Sequence, residues 1–290
     1  MKKIVWCALA LLMPANMYAL ESYVSVGAGP TWIDLQFIEV DSVIDDPTLN
    51  RTSIYKINTA SGYTVDINAK YHCNPYINPY LDVCYSHLTK GNGFIDVFLE
   101  HENQRKTTLD TECFKPIIKS VSFIIANITR LIESTFCKKP YNADLLVGYS
   151  YSKFLLISQT VDSGISNSIY QGFVAGLQLT YFYTSTITLI VEDYVYPERI
   201  DTTSTRQSLL GKDAGFSSYI LMGNLLIGLI TYAPTESWSF SLCGSWAYYK
   251  NVGKATILLS KEESTAFKEP MLCVSSGNQY TLLLYINYNF

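Results

Sequence analysis

The chain has 290 residues, of which 48% are hydrophobic, 14% are aromatic (23 of them Tyr) and only 16% are charged. This hydrophobic content excludes a disordered chain, and a net charge of -4 with a pI of about 5.4 disfavours nucleic-acid binding, which needs a basic surface. A soluble domain usually has about 25% charged residues, yet the mean hydropathy of +0.12 is too low for a bundle of membrane helices.

The first segment, residues 1–19, has the layout of a secretory signal peptide. Lys2 and Lys3 precede an apolar stretch from Ile4 to Met13, and a cleavage site after Ala19 follows. The apolar stretch is too short to cross a bilayer as a helix. We therefore predict export, with residues 20–290 as the mature chain and a single domain.

Export makes the remaining cysteines candidates for disulfide bonds. The mature chain has six of them, Cys73, Cys84, Cys113, Cys137, Cys243 and Cys273. An even number permits complete pairing, but the sequence does not choose among the pairings. No C-x-x-C pair and no Cys–His cluster with metal-ligand spacing is present, so neither a metal nor another cofactor is predicted.

Alternation with a period of two dominates the mature chain. In residues 236–249, Trp238, Phe240, Leu242, Trp246 and Tyr248 occupy one phase, and mostly serine occupies the other. This period predicts β-strands with one apolar and one small polar face. In chain order we predict ten strands, with eight or twelve as alternatives: 22–38, 53–71, 76–88, 93–101, 143–158, 169–183, 186–196, 217–232, 236–249 and 278–290.

The predicted strands suit a lipid bilayer better than a soluble sandwich. Most reach the length of about 9–11 residues that a strand needs to cross a membrane. Their apolar phase ends repeatedly in Tyr, Trp or Phe, as at a membrane interface. A soluble sandwich would expose Lys and Glu where this chain has Ser and Gly. The predicted fold class is therefore all-β, a transmembrane antiparallel up-and-down β-barrel.

Two segments depart from the alternation. Ile117, Val121, Ile124 and Ile128 lie in an insert at residues 102–142, and their spacing favours an amphipathic helix that would plug the barrel. The β-branched residues at 121–129 also fit a strand, which would then replace 93–101 and leave the rest of the insert as an outer loop. Residues 219–233 are apolar on both phases but short for a membrane helix, so we predict a strand.

The connections differ in length. Tight turns are predicted at 72–75, 184–185 and 234–235, and long loops at 40–52, 161–168, 197–216 and 251–277. Short turns on one rim and long loops on the other are typical of bacterial outer-membrane barrels.

The last strand resembles the C-terminal assembly signal of bacterial outer-membrane β-barrel proteins. That pattern ends in Phe, with apolar or aromatic residues at alternate positions before it, and it is matched here by Leu282, Leu284, Ile286, Tyr288 and Phe290. The segment from Tyr23 to Pro30 resembles the first strands of small outer-membrane barrels. The cysteine content is similar in style to that of disulfide-cross-linked major outer-membrane porins.

This resemblance implies a place in the outer membrane of a Gram-negative-type bacterium. The partners it implies are outer-membrane lipid and the barrel-assembly machinery, which would act through the C-terminal strand. A homo-oligomer or disulfide-linked envelope proteins are further expected partners. No nucleic-acid partner is expected.

The inward phase decides between two functions. Asp66, Lys70, Asp82 and Asn287 fall on it and are candidate pore-lining residues, which favours porin-like passage of small solutes or ions. The alternative is a structural or surface-exposed envelope protein, an adhesin or antigen, because a barrel of this size can fill its lumen with side chains.

No enzyme is predicted. Omptin-like barrel proteases carry Asp-Asp and Asp-His pairs; this chain has Asp45-Asp46 but no Asp-His dipeptide. A Ser–His–carboxylate set, for example one using His87 and Glu100, would have to be assembled in space. No catalytic, cofactor-binding or metal-binding residue is therefore proposed from the sequence.

Overall fold

The computed structural model describes residues 22–43, 46–101, 104–159, 165–208, 211–251, 256–259 and 274–290. The predicted signal peptide and Cys273 lie outside these residues. In the described part no helix is long and apolar enough to span a membrane. The strands are β1 (Tyr23–Val43), β2 (Asp46–Lys70), β3 (Pro79–His101), β4 (Gln104–Phe136), β5 (Lys139–Gln159), β6 (Ile165–Phe182), β7 (Ile187–Ser208), β8 (Gly211–Tyr232), β9 (Trp238–Asn251), β10 (Thr256–Leu259) and β11 (Val274–Asn289).

Ten of these strands form a closed wall. Each strand from β1 to β9 pairs antiparallel with the next, and β11 pairs with both β9 and β1, so no edge remains open. The short β10 pairs with residues 215–218 of β8, beyond the part of β8 that pairs with β9. The predicted up-and-down barrel of about ten strands is confirmed.

Exposure alternates along the wall as the sequence pattern predicts. On β11, Leu282, Leu284 and Ile286 are exposed on the outer face, whereas Leu283 and Tyr285 are buried on the inner face. In a barrel immersed in lipid the apolar phase faces outward and the backbone hydrogen bonds are satisfied between strands. This is why a strongly apolar phase remains exposed in a folded chain.

Residues 102–142 are not an insert. Their described part consists of β4, a strand of 33 residues, the turn at 137–138 and the first four residues of β5. The predicted amphipathic helix and the alternative outer loop are therefore both wrong, whereas the alternative strand at 121–129 lies within β4. The predicted strands 76–88 and 93–101 fall on one strand, β3, apart from residues 76–78, which lie in the preceding turn. The predicted number of wall strands holds because β4 replaces the segment that was counted twice.

The two rims differ in the described part of the chain. The predicted tight turns are present at 71–78, 183–186 and 233–237, and with the β4–β5 turn at 137–138 they form what we call the short-turn rim. At the opposite rim, called the hairpin rim, the predicted loops at 40–52 and 197–216 are mostly strand: β1 runs to Val43 and β7 to Ser208. The predicted loops at 161–168 and 251–277 are strand at 165–168, 251, 256–259 and 274–277, and the rest of them lies outside the described residues. Antiparallel pairing continues there because it satisfies backbone groups that a loop would leave to water.

Among the described residues, three hydrophobic clusters lie inside the barrel. Cluster 1 contains Ile33, Ile57, Ala60, Leu88, Phe114 and Ile118. Cluster 2 contains Ala126, Ile128, Leu146, Val174, Tyr194 and Tyr196. Cluster 3 contains Cys243, Leu283 and Tyr285. Side chains therefore fill much of the lumen, as expected for a barrel of this strand number.

Candidate functional site in the barrel lumen

The four predicted pore-lining residues all lie on the inner phase. Asp66 is 4% exposed, Lys70 and Asn287 are 8% exposed, and Asp82 is half-buried. A side chain on the wall of a wide, water-filled channel would be exposed, so these values mean that other protein atoms cover them. Their role as pore-lining residues stays a prediction.

Asp66 and Asp82 form a carboxyl pair on the neighbouring strands β2 and β3. The two carboxyl groups are close enough to interact electrostatically. Asp66 also accepts hydrogen bonds from the Tyr285 hydroxyl at 2.7 Å and from Asn68 Nδ2 at 3.0 Å. The Tyr80 hydroxyl donates to Asp82 at 3.3 Å. Like charges on neighbouring buried carboxyl groups repel each other, so the neutral donors around the pair help to hold it in place.

Glu192 on β7 is the centre of a second cluster of polar side chains. It accepts hydrogen bonds from Gln178 Nε2 and, at 2.6 Å, from the Tyr194 hydroxyl. Lys70 interacts electrostatically with Glu192 from β2. Because β2 and β7 are five strands apart in a ten-stranded wall, this interaction crosses the lumen.

A buried ion pair joins β4 and β5 closer to the short-turn rim. Arg130 Nε lies 2.7 Å from Asp144 Oδ1, and Asp144 is 3% exposed. Arg130 also reaches Glu133 at 3.7 Å across a bulge that lies between Arg130 and Ile132. The bulge lets Arg130 and Glu133 point to the same side although they are an odd number of positions, three, apart along the strand.

Hydroxyl groups link the strands on either side of the barrel seam, which is the pairing of β1 with β11 that closes the wall. Thr31 of β1 is hydrogen-bonded to Thr64 of β2 at 2.5 Å and to Thr281 of β11 at 3.3 Å. Thr64 in turn is 2.7 Å from Ser86 of β3. This ladder crosses four adjacent strands.

Asn287 belongs to a second set of hydrogen-bonded polar side chains, which joins β11, β9 and β8. Its Nδ2 atom donates to Ser239 at 3.0 Å and to Ser241 at 2.8 Å, and Ser241 lies 2.8 Å from Thr231. The inner serines of residues 236–249 therefore hold neighbouring strands together.

A cavity of about 240 Å³ lies between the three luminal clusters. Cluster 1 contributes Ile33, cluster 2 contributes Ile124 and Ile227 from its flank, and cluster 3 contributes Leu283. The polar lining consists mainly of serine and threonine hydroxyls from several strands. Among the described residues, Asp66 and Asp82 are the charged side chains of the lining, and both are acidic.

The cysteines occupy three environments. Cys84 and Cys243 line the cavity from β3 and β9. Cys73 and Cys137 are exposed in turns of the short-turn rim, and Cys113 is exposed on β4. These five are free thiols in the structure, so the predicted disulfides stay a prediction.

The position of His87 tests the Ser–His–carboxylate set that the sequence left open. His87 lies against Tyr63, with its Nδ1 atom 3.4 Å from the tyrosine hydroxyl, on the side of the wall opposite to Ser86. Glu100 is on the same strand, thirteen residues away, which corresponds to roughly 40 Å of extended chain. The suggested pairing of His87 with Glu100 is therefore wrong. The described residues contain no group of three or more His, Cys, Asp or Glu suited to a metal ion.

Several luminal contacts were not predicted from the sequence. Glu192, Tyr194 and the Arg130–Asp144 pair all lie on inner phases, so alternation alone could have identified them as luminal. The residues that they contact could not be predicted, because each contact depends on where the two strands lie around the wall, and this depends on the number of strands.

Comparisons with known proteins identify the fold. No protein-family model and no curated protein sequence matches the chain. The structure of the outer membrane protease OmpT from Escherichia coli is 11% identical, with a TM-score of 0.75, and the match covers 95% of this chain and 99% of that one. The outer membrane protein OprG from Pseudomonas aeruginosa is 10% identical with a TM-score of 0.33, covering 93% of this chain and 97% of that one. At 11% identity, the OmpT match establishes the architecture and not the activity.

Proposed function

We propose that this chain, a β-barrel of the bacterial outer-membrane type, is a surface-exposed envelope protein with an occluded lumen. The observation that carries the proposal is cluster 2, whose side chains project into the lumen. The cluster extends over six consecutive strands, from Tyr80 on β3 to Leu225 and Ile227 on β8. Packed side chains therefore cover the inner face over more than half of the ten-stranded wall, and Val174 among them is fully covered.

The hairpin rim supports the surface role. A strand needs about 9–11 residues to cross a membrane, whereas β2 has 25 residues and β7 and β8 have 22 each. The surplus residues form paired strands that would stand above the outer leaflet and present a rigid surface. The short turns would face the periplasm.

Porin-like passage is the competing function, and a conductance experiment separates the two. We expect refolded wild-type protein to give no discrete conductance steps in planar bilayers. The variant Tyr194→Ala/Tyr196→Ala removes two rings from cluster 2 and should produce steps, because both side chains lie in the lumen. Tyr149→Ala/Tyr183→Ala removes two rings from the outer face and is the matched control, expected to stay silent. Discrete steps from the wild type would establish a porin instead.

The orientation in the membrane has its own test. A short epitope tag inserted at 209–210, between β7 and β8, should bind antibody on intact cells. The same tag inserted after Ser185, in the β6–β7 turn, should bind only after the outer membrane is permeabilised. The reverse result would overturn the proposed surface role.

The proposal includes assembly through the last strand and no catalytic role. Tyr288 and Phe290 are exposed at the short-turn rim, where β11 ends at Asn289, and the resemblance to the assembly signal places its terminal residues at these positions. Phe290→Ala should lower the yield of barrel inserted in outer membranes, while Phe173→Ala, which removes an exposed ring from β6, should not. Equal yields would contradict recognition of the C-terminal strand.

A further inference from the structure

We propose that Lys119 of β4 and Lys153 of β5, which we call the lysine pair, bind the phosphate-bearing head group of a membrane lipid on the outer face of the barrel. The pair lies on the hairpin-rim side of the apolar outer face. Its assignment to the outer leaflet therefore rests on the proposed exposure of the hairpin rim at the cell surface.

The neighbours of the two lysines along the chain show where their side chains point. Ser120 on β4 and both Ser152 and Phe154 on β5 line the luminal cavity. Successive side chains of a strand point to opposite faces, so Lys119 and Lys153 point outward. Both are exposed. Two ammonium groups are therefore available on the outside of the wall.

The pairing of β4 with β5 brings the two lysines together. Lys153 pairs with Val121, which is two residues from Lys119 on the same face. Such diagonal neighbours in an antiparallel sheet are about 7–8 Å apart. Lysine carries its charge on a flexible stem, so one phosphate can accept hydrogen bonds from both ammonium groups. Its negative charge would also offset the repulsion between them.

The surrounding outer face carries no competing negative charge. In the outer phases of 113–125 on β4 and 145–157 on β5, the charged residues are the lysine pair and Lys115. The outer phases of 81–87 on β3 and 167–181 on β6 contain no carboxylate. Among the described residues, no carboxylate forms an ion pair with either lysine of the pair. In a chain with a net charge of -4, this sector is therefore locally basic and attracts anions.

The surface beside the lysine pair suits the rest of a lipid. Val121 and Ile125 are exposed on β4 toward the short-turn rim and continue the apolar outer face. His87 of β3 pairs with Lys119, and its ring lies 5.7 Å from that of Tyr63. Aromatic rings of this kind are typical of a membrane interface. A soluble anion would contact the lysines alone, whereas a lipid also places its acyl chains on the apolar face, which favours the lipid.

The test compares two lipids with the same acyl chains. Phosphatidic acid has an anionic phosphate monoester as its head group, whereas the phosphate of phosphatidylcholine is neutralised by its choline. The folded full-length barrel in detergent is titrated with the dioleoyl form of each and followed by native mass spectrometry. Phosphatidic acid should bind about tenfold more tightly, because each lysine near an anionic head group favours binding. Equal affinities would overturn the proposal.

Inorganic phosphate separates a lipid site from a site for free anions. An excess of phosphate should leave most of the phosphatidic acid bound, because the acyl chains contribute contacts that the free ion lacks. Complete displacement by phosphate would overturn the assignment to a lipid.

Variants then locate the effect. Lys119→Gln/Lys153→Gln should bring the affinity for phosphatidic acid to within about twofold of that for phosphatidylcholine. Lys138→Gln/Lys139→Gln removes two exposed lysines at the short-turn rim, changes the net charge equally and should keep the preference. Heat-modifiable gel mobility checks that both variants are folded. A preference that survives the first variant, or is lost equally in both, would refute the lysine pair as the site.

The leaflet is decided separately, by the epitope tags at the two rims. A reversed orientation would overturn the outer-leaflet assignment together with the surface role, but it would not change the lipid preference measured in detergent. A lost preference with the expected orientation would overturn the lipid site alone. The two failures are therefore distinguishable.

Discussion

At the scale of single residues, the lumen shows how charged groups are kept inside a barrel. Asp144 is 3% exposed and is paired with Arg130, whereas Glu192 is 9% exposed and is held by Gln178 and Tyr194. A buried charge without such partners costs several kcal/mol. Each acid therefore depends on one or two specific neighbours, and the loss of a neighbour should be measurable.

The Arg130–Asp144 pair gives the first prediction. Arg130→Gln leaves Asp144 buried without its cation, so we expect the free energy of unfolding to fall by about 3 kcal/mol. Urea titration followed by heat-modifiable gel mobility measures this change. In the double variant Arg130→Gln/Asp144→Asn no charge is left unpaired, and the loss should be smaller than in Arg130→Gln alone. A double variant as unstable as the sum of both single variants would show that the two residues act independently.

Two glycines give the second prediction: Gly29 lies at the barrel seam, and Gly244 on β9 is its control. Gly29 of β1 faces β11 so closely that an added Cβ would overlap the carbonyl oxygen of Leu282, whereas an added Cβ on Gly244 of β9 would meet nothing within 4 Å. Gly29→Ala should therefore destabilise the barrel by about 2 kcal/mol or more, since backbone cannot move aside easily. Gly244→Ala should stay within about 0.5 kcal/mol of the wild type in the same unfolding assay. Similar losses for both variants would mean that seam spacing does not limit stability.

Residue phases could be predicted from the sequence, but residue partners could not. Alternation alone puts Asp66 and Asn287 on the inner face, because side chains of successive strand residues point to opposite sides. The contact between Asp66 and Tyr285 joins residues 219 positions apart. It depends on β1 pairing with both β2 and β11, which only closure of the barrel brings about.

At the scale of the strands, β4 shows why alternation fails where both faces are apolar. Its inner phase includes Ile118, Ile124 and Ile128, and its outer phase includes Val121 and Ile125. When both phases are apolar, the period of two disappears, and the remaining apolar positions happen to match helical spacing. The long predicted loops failed for a different reason, because polar Ser and Thr in hairpins 40–52 and 197–216 fit paired strands above a membrane as well as they fit loops.

The turns of the short-turn rim give the third prediction. Cys73 and Cys137 are exposed thiols in the β2–β3 and β4–β5 turns, which would both face the oxidising periplasm. Exchange with an oxidised thiol–disulfide oxidoreductase there would transfer two electrons to the oxidant and leave an intermolecular disulfide. We expect multimers on non-reducing gels that disappear with reductant and in Cys73→Ser/Cys137→Ser. Cys84→Ser/Cys243→Ser, which changes the two cavity thiols, should leave the multimers intact.

At the scale of the whole molecule, the barrel has two parts whose outer faces suit different surroundings, a lower part with an apolar outer face and an upper part formed by the hairpins. Between the short-turn rim and about the level of Tyr248 on β9, the outer face is apolar and exposed, from Trp238 through Leu242 to Trp246. Above that level β9 ends at Asn251, while β7 and β8 continue as a pair to Ser208 and Gly211. The lower part is built for lipid and is packed on the inside. The upper part is a sheet extension in which neighbouring hairpins also pair, β6 with β7 as far as Ile165 and Thr205 and β2 with β3 as far as Leu49 and His101.

This division predicts that the upper β7–β8 hairpin can be removed without loss of the barrel. Deleting residues 201–218 and joining Ile200 to Tyr219 through Asn-Gly preserves the pairing of Ile200 with Tyr219, because these residues face each other in the intact hairpin. The Asn-Gly turn suits a two-residue hairpin connection. The deletion also removes residues 215–218, which pair with β10, and residues 201–205, which pair with residues 165–169 of β6.

We expect the shortened protein to keep heat-modifiable mobility and to unfold within about 1 kcal/mol of the wild type, since clusters 1, 2 and 3 lose no residue. Deleting Glu192–Tyr196 from β7, which removes Tyr194 and Tyr196 from cluster 2, should abolish the folded band. If the hairpin deletion abolished it as well, the membrane barrel would depend on its extension, and the two parts would have to be regarded as one cooperative unit.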